Sequence, residues 1–187
     1  MSSILQVQDP YNQASFSLLN RIYRLIWNIV YILLFRFSPR MSHSWRSFLL
    51  RCFGAKIGNN CHVYPSVKIW APWNLQMSDH ACLGEYVNCY SIAKIYLGNK
   101  VIISQGTTLC TGTRDYESQN MQLCALPIEI SSHTWVCSES FICPGVAIGE
   151  GAVIGARSVV TKNMPDWTVC VGNPCKPLKK RKNSAQN

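Results

Sequence analysis

Six aliphatic residues recur at an unbroken spacing of six in the second half of the chain: Ile130, Val136, Ile142, Ile148, Ile154 and Val160. An α-helix repeats about every 3.6 residues and a strand every two, so neither produces this spacing. A hexapeptide period is typical of a parallel β-helix, in which each six-residue side of a triangular coil turns one aliphatic side chain inward. Gly149 and Gly155 follow two of these positions, where a bend makes a Cβ unfavourable. The fourth residue after each is mostly small, as tight corners require: Thr134, Ser140, Val146, Ala152 and Ser158.

The same period occurs upstream in three triplets whose first members lie twenty residues apart. That interval corresponds to eighteen residues per coil and two more at one corner. The triplets are Ile57, Val63 and Ile69; Met77, Leu83 and Cys89; and Leu97, Ile103 and Leu109. With the two later triplets they predict a mainly β fold of about five coils, which at about 4.8 Å per layer is a stack about 24 Å tall.

The length of 187 residues is enough for one domain, or one domain and an appendage. We expect an N-terminal helical region over 1–54, the β-helix over 55–165, and a C-terminal extension with a basic tail over 166–187. The ten cysteines include no CxxC pair, and several occupy or follow repeat positions, as small apolar residues do. With no cleavable signal peptide, this pattern predicts a reducing cytoplasm and no metal site.

Charge is distributed unevenly along a chain whose formal net charge is +9. No acidic residue lies between Asp9 and Asp79, and a second basic cluster closes the chain. Such segments attract phosphates of lipids, nucleotides or nucleic acids. Nucleic acid is not expected, because no recognised nucleic-acid-binding motif accompanies the charge.

The N-terminal third is predicted to be helical. Residues 16–28 carry a polar stripe at helical spacing and so predict an amphipathic helix, while 29–35 are apolar on all sides. This apolar run is too short to span a bilayer. Two alternatives remain for 16–37: peripheral membrane contact through aromatic residues and arginines, or packing on the β-helix or a partner subunit.

A second, shorter helix follows, with Ser42 or Ser44 as its N-cap, four apolar residues (Trp45, Phe48, Leu49 and Cys52) and Gly54 as its stop. We expect it to close the open end of the first coil, where unpaired strand edges would otherwise be exposed. The repeat is also interrupted once, because Leu109 and Ile130 lie twenty-one residues apart. This predicts an extruded loop over 110–129, and long loops in regular scaffolds are usually functional.

Several stretches resemble one family of enzymes. They are SWRSFLLRCFGAKIG, KIWAPWNLQ, ISQGTTLCTGTRDY and HTWVCSESFICPGVAIGEGAVIGARSVVTKNMPDWTVCVGNPCKPLKKR. Through them the chain is similar to the hexapeptide-repeat acyltransferases, and among these to the colanic-acid-biosynthesis-type acetyltransferases. The resemblance implies a left-handed β-helix, an exception to the usual right-handed crossover, assembled as a homotrimer with active sites between adjacent subunits. It also implies transfer from acetyl-CoA to a hydroxyl of a sugar or lipid-linked sugar, without metal.

The resemblance further implies a set of cofactor-binding residues. Lys162 and Arg181 are assigned to the adenosine phosphates, with Lys179 and Lys180 as weaker candidates. Trp135 matches a family tryptophan beside the cofactor or the acceptor. Four residues are expected to line the cofactor cleft, where they permit close backbone approach: Gly155, Ala156, Gly172 and Pro174.

The chain departs from the family at the catalytic loop. The family's histidine base corresponds to Arg114, and a guanidinium does not deprotonate near neutral pH. Glu139, Asp115 and His133 are the alternatives for a base, although the repeat places His133 at a coil corner. Two other classes remain open: a non-catalytic β-helix homologue, and a γ-type carbonic anhydrase, against which the scattered histidines argue.

Overall fold

The computed structural model describes the backbone of strand β1 (Ser3–Ile4) and, in full, residues 15–182. The architecture is mainly β: a left-handed parallel β-helix preceded by helices, as expected. Each coil contributes one short strand to each of three faces. Inward and outward side chains alternate along these strands. Because each side of a coil is six residues long, the inward residue that defines its column recurs every six positions.

The first face holds β2 (Lys56–Ile57), β5 (Leu75–Met77), β8 (Ile95–Leu97), β13 (Ile128–Ile130) and β16 (Ala147–Ile148). The second holds β3 (His62–Val63), β6 (Cys82–Leu83), β9 (Ile102–Ile103), β14 (Trp135–Val136), β17 (Val153–Ile154) and β19 (Thr168–Gly172). The third holds β4 (Lys68–Ile69), β7 (Asn88–Tyr90), β10 (Thr108–Cys110), β15 (Phe141–Ile142) and β18 (Val159–Val160).

The inward columns are those predicted from the repeat. Ile130 pairs in register with Ile148, Val136 with Ile154, and Ile142 with Val160, and all six are at most 2% exposed. Five complete coils are present, as predicted, and a partial sixth follows. In the partial coil, Met164 bridges to Ile148 and β19 pairs with β17. The six-residue period does not continue there, so the sequence did not predict this turn.

The two glycines of the repeat are required by close approach of the next coil. A Cβ on Gly155 would lie 2.6 Å from Val171 Cγ1, and one on Gly149 would overlap Asp166. Neither glycine has a positive φ. The expected bend is therefore not the reason for glycine here, although the expected intolerance of a Cβ is confirmed.

Two helices precede the coils. Helix α1 (Leu18–Val30) is capped by the Ser17 hydroxyl, continues through a π-helical turn (Tyr31–Phe35), and is followed by α2 (His43–Cys52). Ser42 is the N-cap of α2, and Gly54, with φ +83°, follows its end. A 3₁₀ turn (Pro72–Asn74) leads into β5.

The helices close the first coil through side-chain donors. The strand carbonyls of Ile57, Val63 and Ile69 accept hydrogen bonds, one on each face. Arg51 Nε donates to Ile57 at 3.0 Å, Arg46 Nε to Val63 at 2.6 Å, and Trp27 Nε1 to Ile69 at 2.7 Å. The predicted closure by the second helix is therefore real, but the first helix shares in it. Because unpaired carbonyls at an open sheet edge are costly to bury, these donors stabilise the end of the stack.

Helix α1 packs on the body through its aromatic residues. Trp27 and Phe35 are buried, while the apolar stripe opposite them is exposed. Leu18–Phe35 forms a continuous helical stretch long and apolar enough to cross a membrane, by length and composition only, in the part of the chain that the structure describes. The expectation of a run too short to span considered only 29–35.

The last coil is closed by β20 (Cys175–Lys180), which returns antiparallel along β19. Beyond it, Arg181 Nη1 donates to the carbonyls of Gly151 (2.8 Å) and His133 (3.2 Å). The extruded loop is also ordered by pairing: β11 (Gly112–Arg114) and β12 (Leu123–Ala125) form an antiparallel hairpin, which β1 joins. It is thus a folded hairpin rather than irregular loop.

All ten cysteines lie in the described part of the chain and are free thiols. Cys89 occupies the inward column, as expected, and burial raises the pKa of its thiol to about 12. The thiols therefore act in the core as small apolar residues.

Candidate functional site

Most of the predicted cofactor residues lie along the second face. Trp135 lies in the middle of this face and is 46% exposed. Its indole Nε1 donates to Ser104 Oγ at 2.9 Å. Gly155 and Ala156 begin the turn that leaves this face, and the turn with Gly172 and Pro174 lies beside it, with Gly172 N donating to Ser158 Oγ. Small residues there leave backbone open to a ligand along the edge of the face.

The predicted phosphate ligands are divided between two corners of the coil. Arg181 lies where the first face turns into the second, bound to His133 and Gly151 and over the Trp167 ring at 5.6 Å. Lys179 is on the neighbouring strand β20. Lys162 follows β18 and lies between the third and first faces. One protomer therefore does not bring Lys162 and Arg181 together.

Arg114 and Asp115 belong to the hairpin, which leaves the third face after β10. Arg114 is exposed and its Nη1 donates to the Met121 carbonyl at 2.9 Å, across the hairpin. The Asp115 carboxylate accepts from the Glu117 backbone N–H at 3.2 Å. Both side chains thus take part in holding the hairpin turn.

Glu139 lies at the opposite edge of the third face, in the corner before β15. It has φ +58° and packs over Gly106 of the preceding coil. Its carboxylate accepts from Arg157 Nε at 2.6 Å in an exposed ion pair, and this contact raises the pKa of the Arg157 guanidinium. Within one protomer Glu139 is consequently separated from Arg114 and Asp115 by the width of the face.

His133 sits at a coil corner, with φ +60° and a backbone N–H that donates to the Asn99 carbonyl. His80 occupies the same corner two coils earlier. His43 and His62 instead stack on each other at the first coil, 4.7 Å apart. Among residues 15–182, no group of three His, Cys, Asp or Glu side chains is placed to hold a metal ion.

A cleft of about 240 Å³ separates helix α1 from the third face. Asn28 and Tyr31 line its helical side, and the other side is lined by Lys68, Trp70, Asn88 and Tyr90. The hairpin begins beside it, because a Cβ on Gly112 would lie 3.0 Å from the Tyr90 ring. None of these cleft residues was a candidate from sequence. The four residues on the third face could have been found from their positions in the repeat. They flank the inward Ile69 and Cys89, which are twenty residues apart, and so point outward together.

The arrangement offers two kinds of binding surface in one protomer. Aromatic rings beside amide and ammonium groups suit a polar ligand with apolar faces, such as a sugar. The second face suits an extended ligand that passes an exposed tryptophan and ends near basic residues. Of the chemically reactive candidates, Glu139 lies at the border between the second and third faces, whereas Asp115, in the hairpin, lies at the opposite edge of the third face.

Comparison with known proteins gives a consistent relationship. The chain is 44% identical over 162 residues to an Escherichia coli (strain K12) protein assigned provisionally as the colanic acid biosynthesis acetyltransferase WcaF, covering 87% of this chain and 89% of that protein. A scan against protein-family models gave no match.

Solved structures share the fold. A maltose O-acetyltransferase from Clostridium difficile 630 superposes with a TM-score of 0.79 at 25% identity, over 89% of this chain and 90% of that one. A galactoside acetyltransferase in complex with coenzyme A gives 0.82 at 24% identity, over 91% and 86%. With the fold, the repeat and the near-full-length similarity in agreement, the chain belongs to the WcaF-type hexapeptide-repeat acetyltransferases.

Proposed function

We propose that the protein is an acetyl-CoA-dependent O-acetyltransferase that modifies a sugar hydroxyl during polysaccharide biosynthesis. The observation that carries this proposal is the second face. On this face the exposed Trp135 lies between the small residues of two turns, at the edge toward the third face, and Arg181, at the edge toward the first. An extended pantetheine that passes the turns and Trp135, with its phosphate-bearing nucleotide near Arg181, fits these surfaces.

The active unit in this proposal is a homotrimer. One protomer leaves Glu139 and the hairpin residues at opposite edges of the third face, and it leaves Lys162 and Arg181 at different corners. A threefold assembly apposes different corners of neighbouring copies, which would complete both sets. Exposed apolar side chains on the coil faces, Ile102, Trp135 and Phe141, supply surface for such contacts.

The reaction is attack of the acceptor hydroxyl oxygen on the thioester carbonyl carbon. The new C–O bond forms, the C–S bond breaks, and the hydroxyl proton passes through a base to the departing CoA thiolate. Arg114 cannot be that base. Asp115 and Glu139 remain the candidates, and Arg114 takes a different role by pairing with an anionic acceptor or a cofactor phosphate.

The acceptor in this proposal lies in the cleft between α1 and the third face. Trp70 and Tyr90 offer ring faces to the apolar side of a sugar, while Asn88 and Lys68 offer hydrogen bonds. A sugar carried on a lipid fits a cleft walled by α1. We place the reaction in the cytoplasm, at the inner face of the membrane, because acetyl-CoA is supplied there.

A second candidate function follows from the contact that Arg114 makes. Its guanidinium holds the hairpin through the Met121 carbonyl, a role for which a catalytic base is unnecessary. In that case the protein is a catalytically impaired or non-catalytic homologue that keeps the cofactor surface. Loss of general-base assistance typically costs about 10²- to 10⁴-fold, so a slow transferase is the expected form of impairment.

The deciding experiment measures transfer of labelled acetyl groups from acetyl-CoA to a panel of sugars. Arg114→His, Asp115→Asn and Glu139→Gln are compared with the native chain, and Glu117→Gln is the matched control, an exposed acid of the same hairpin. A native activity that only one of the two acid substitutions abolishes identifies the base. A large gain with Arg114→His instead identifies an impaired enzyme. No transfer by any variant, although CoA raises the melting temperature, supports the non-catalytic alternative.

A further inference from the structure

We propose that helix α1 and the π-helical turn after it lie in the plane of a membrane and bind anionic phospholipids through their outward side. This side, here called the docking face, consists of Leu18, Ile22, Leu25, Ile29, Ile32 and Leu33. These residues recur at helical spacing, and all are exposed, from 45% for Ile22 to 69% for Leu18. An amphipathic helix on a globular protein normally turns its apolar stripe toward the core. Here that stripe faces away from the described residues 15–182, so a surface outside these residues is needed to cover it.

The docking face continues beyond the helix. Phe37 is 79% exposed and Met41 90%, and the stacked rings of Trp45 and Phe48 are also exposed. Trp45 Nε1 donates to the Leu34 carbonyl at 3.1 Å, which keeps α2 against the end of the helix. A tryptophan with one bonded edge and one exposed ring is suited to the interface of a bilayer. The exposed apolar residues of α2 thus lie beside the end of the π-helical turn and extend the apolar surface there.

The opposite side of α1 is attached to the body of the protein. Trp27 is 1% exposed and bonded to the Ile69 carbonyl, and Tyr23 packs edge-on against Trp73 at 5.3 Å. Arg24 lies 4.2 Å from the Trp70 ring centroid. To cross a bilayer, the helix would have to give up these contacts and bury Arg24. At about 1.5 Å per residue the eighteen residues of Leu18–Phe35 reach about 27 Å, so length permits crossing, but packing favours an in-plane position.

Charge identifies the occupant. Arg21 and Arg36 are exposed around the docking face, whereas Arg40 is ion-paired with Glu85 at 3.3 Å. The chain has no acidic residue between Asp9 and Asp79. The other eight acidic residues fall between Asp79 and Asp166, on the coils and the hairpin. A second copy placed face to face would bring arginines against arginines. A layer of anionic headgroups over acyl chains matches both the charge and the apolar area.

The test is flotation of the full chain with vesicles of phosphatidylcholine alone and of phosphatidylcholine mixed with phosphatidylglycerol. Binding is expected only with the mixed vesicles. Leu25→Glu combined with Ile29→Glu should weaken it at least 100-fold, because charges would enter the acyl boundary. Arg21→Gln with Arg36→Gln should weaken it about 30-fold, as expected when two surface arginines lose their charge. Leu178→Glu, an equally exposed leucine on β20, is the matched control and should bind as the native chain does.

Three outcomes would overturn the proposal. Native protein that floats with neither vesicle has no such docking face. Loss of the oligomer in Leu25→Glu with Ile29→Glu, seen by sedimentation together with absent vesicle binding, assigns the face to a neighbouring copy. Resistance of the vesicle-bound chain to extraction at alkaline pH indicates a spanning helix. None of these outcomes is measured by acetyl transfer, so each can overturn membrane docking without overturning the proposed acetyltransferase activity.

Discussion

At its first coil the β-helix is closed by side chains, whereas on the second face its last coil is closed by another strand. Arg51, Arg46 and Trp27 each reach one strand carbonyl at the first end. At the other end β20 pairs along β19. Either device satisfies the backbone from one side only, so the outer surface of each cap is free to differ. The first cap presents apolar residues and arginines, and the last presents Lys176, Lys179 and Lys180. The need to close the two ends of the β-helix therefore does not determine which residues their outer surfaces present, and these surfaces can serve different functions.

The largest expected effect is on the core that joins the two ends. Ile148 is 1% exposed and lies between Ile130 and Met164. Ile148→Asp would place an unpaired charge in dry surroundings, a cost of about 5 kcal/mol or more, which equals much of a typical stability. We expect no cooperative thermal transition by circular dichroism. Ile148→Val should fold and lose only about 1 kcal/mol. A folded Asp variant would mean that the ends do not share one core.

The next effect should be confined to the first cap. Trp27→Ala removes a buried ring and is expected to cost about 3–5 kcal/mol in urea unfolding. Trp27→Phe keeps most of the ring but leaves the Ile69 carbonyl without its donor, at a cost of about 1–3 kcal/mol. The difference between the variants separates packing from closure of the strand edge. A stability of Trp27→Phe equal to that of the native chain would show that the hydrogen bond to Ile69 contributes little, whereas equal losses in the two variants would show that it outweighs the packing of the ring.

A third effect should distinguish the two caps, because only a substitution in the last cap is expected to weaken CoA binding. Arg181→Ala is expected to weaken CoA about tenfold by calorimetry and dephospho-CoA less, because only CoA carries the 3′-phosphate. Arg21→Ala, an exposed arginine of the first cap, is the matched control and should leave CoA affinity unchanged. The same loss for both ligands would place the 3′-phosphate elsewhere.

The smallest effect is a pH dependence of the first cap. Burial is the main cause that lowers the pKa of His43. The hydrogen bond to the Val63 carbonyl acts in the opposite direction, and the charges of Arg46, His62 and Arg40 lower the pKa further. A histidine whose folded pKa lies below its unfolded value of about 6.5 contributes stability above that pH, and the contribution is lost as the pH falls through and below it. The melting temperature of the native chain should therefore fall more steeply from pH 7 to 5 than that of His43→Gln. Parallel slopes would exclude His43 as the cause.

The repeat predicted the coils well because one inward residue per six is a direct product of strand geometry. Ile130 and Ile148 could be paired from their numbers alone. The partial sixth coil was not predictable in this way, since Met164 and Cys170 depart from the six-residue spacing. The boundaries of the second helix were predicted from Ser42 and Gly54, whereas the capping of α1 by Ser17 was not predicted. Periodicity identified the polar and apolar sides of α1 but not which side packs on the β-helix. Trp27, not the aliphatic stripe, is the buried anchor.

Arg46 illustrates a second limit. In the sequence it belongs to a basic segment that attracts phosphates, yet it is 0% exposed and is consumed by hydrogen bonds to Ser38, Pro39, Arg40 and Val63. Counting charges therefore overstated the free basic surface. The site residues posed a different difficulty. Arg114 and Lys162 lie at the edge between the third and first faces, whereas Glu139 and Arg181 each lie at another edge, and no local pattern encodes how an assembly would bring these edges together.

The hairpin inserted after β10 also affects how the chain can fold. A coil without the insertion pairs groups about twenty residues apart, as Ala71 and Ser91 do, whereas across it Asn99 and Ser132 are thirty-three apart. Loop-closure entropy rises only logarithmically, so this difference costs about 0.5 kcal/mol. The solenoid can thus hold a long insertion almost without thermodynamic penalty. We nevertheless expect the pairings across the insertion, β8 with β13 among them, to close last, after the coils on either side of it have formed.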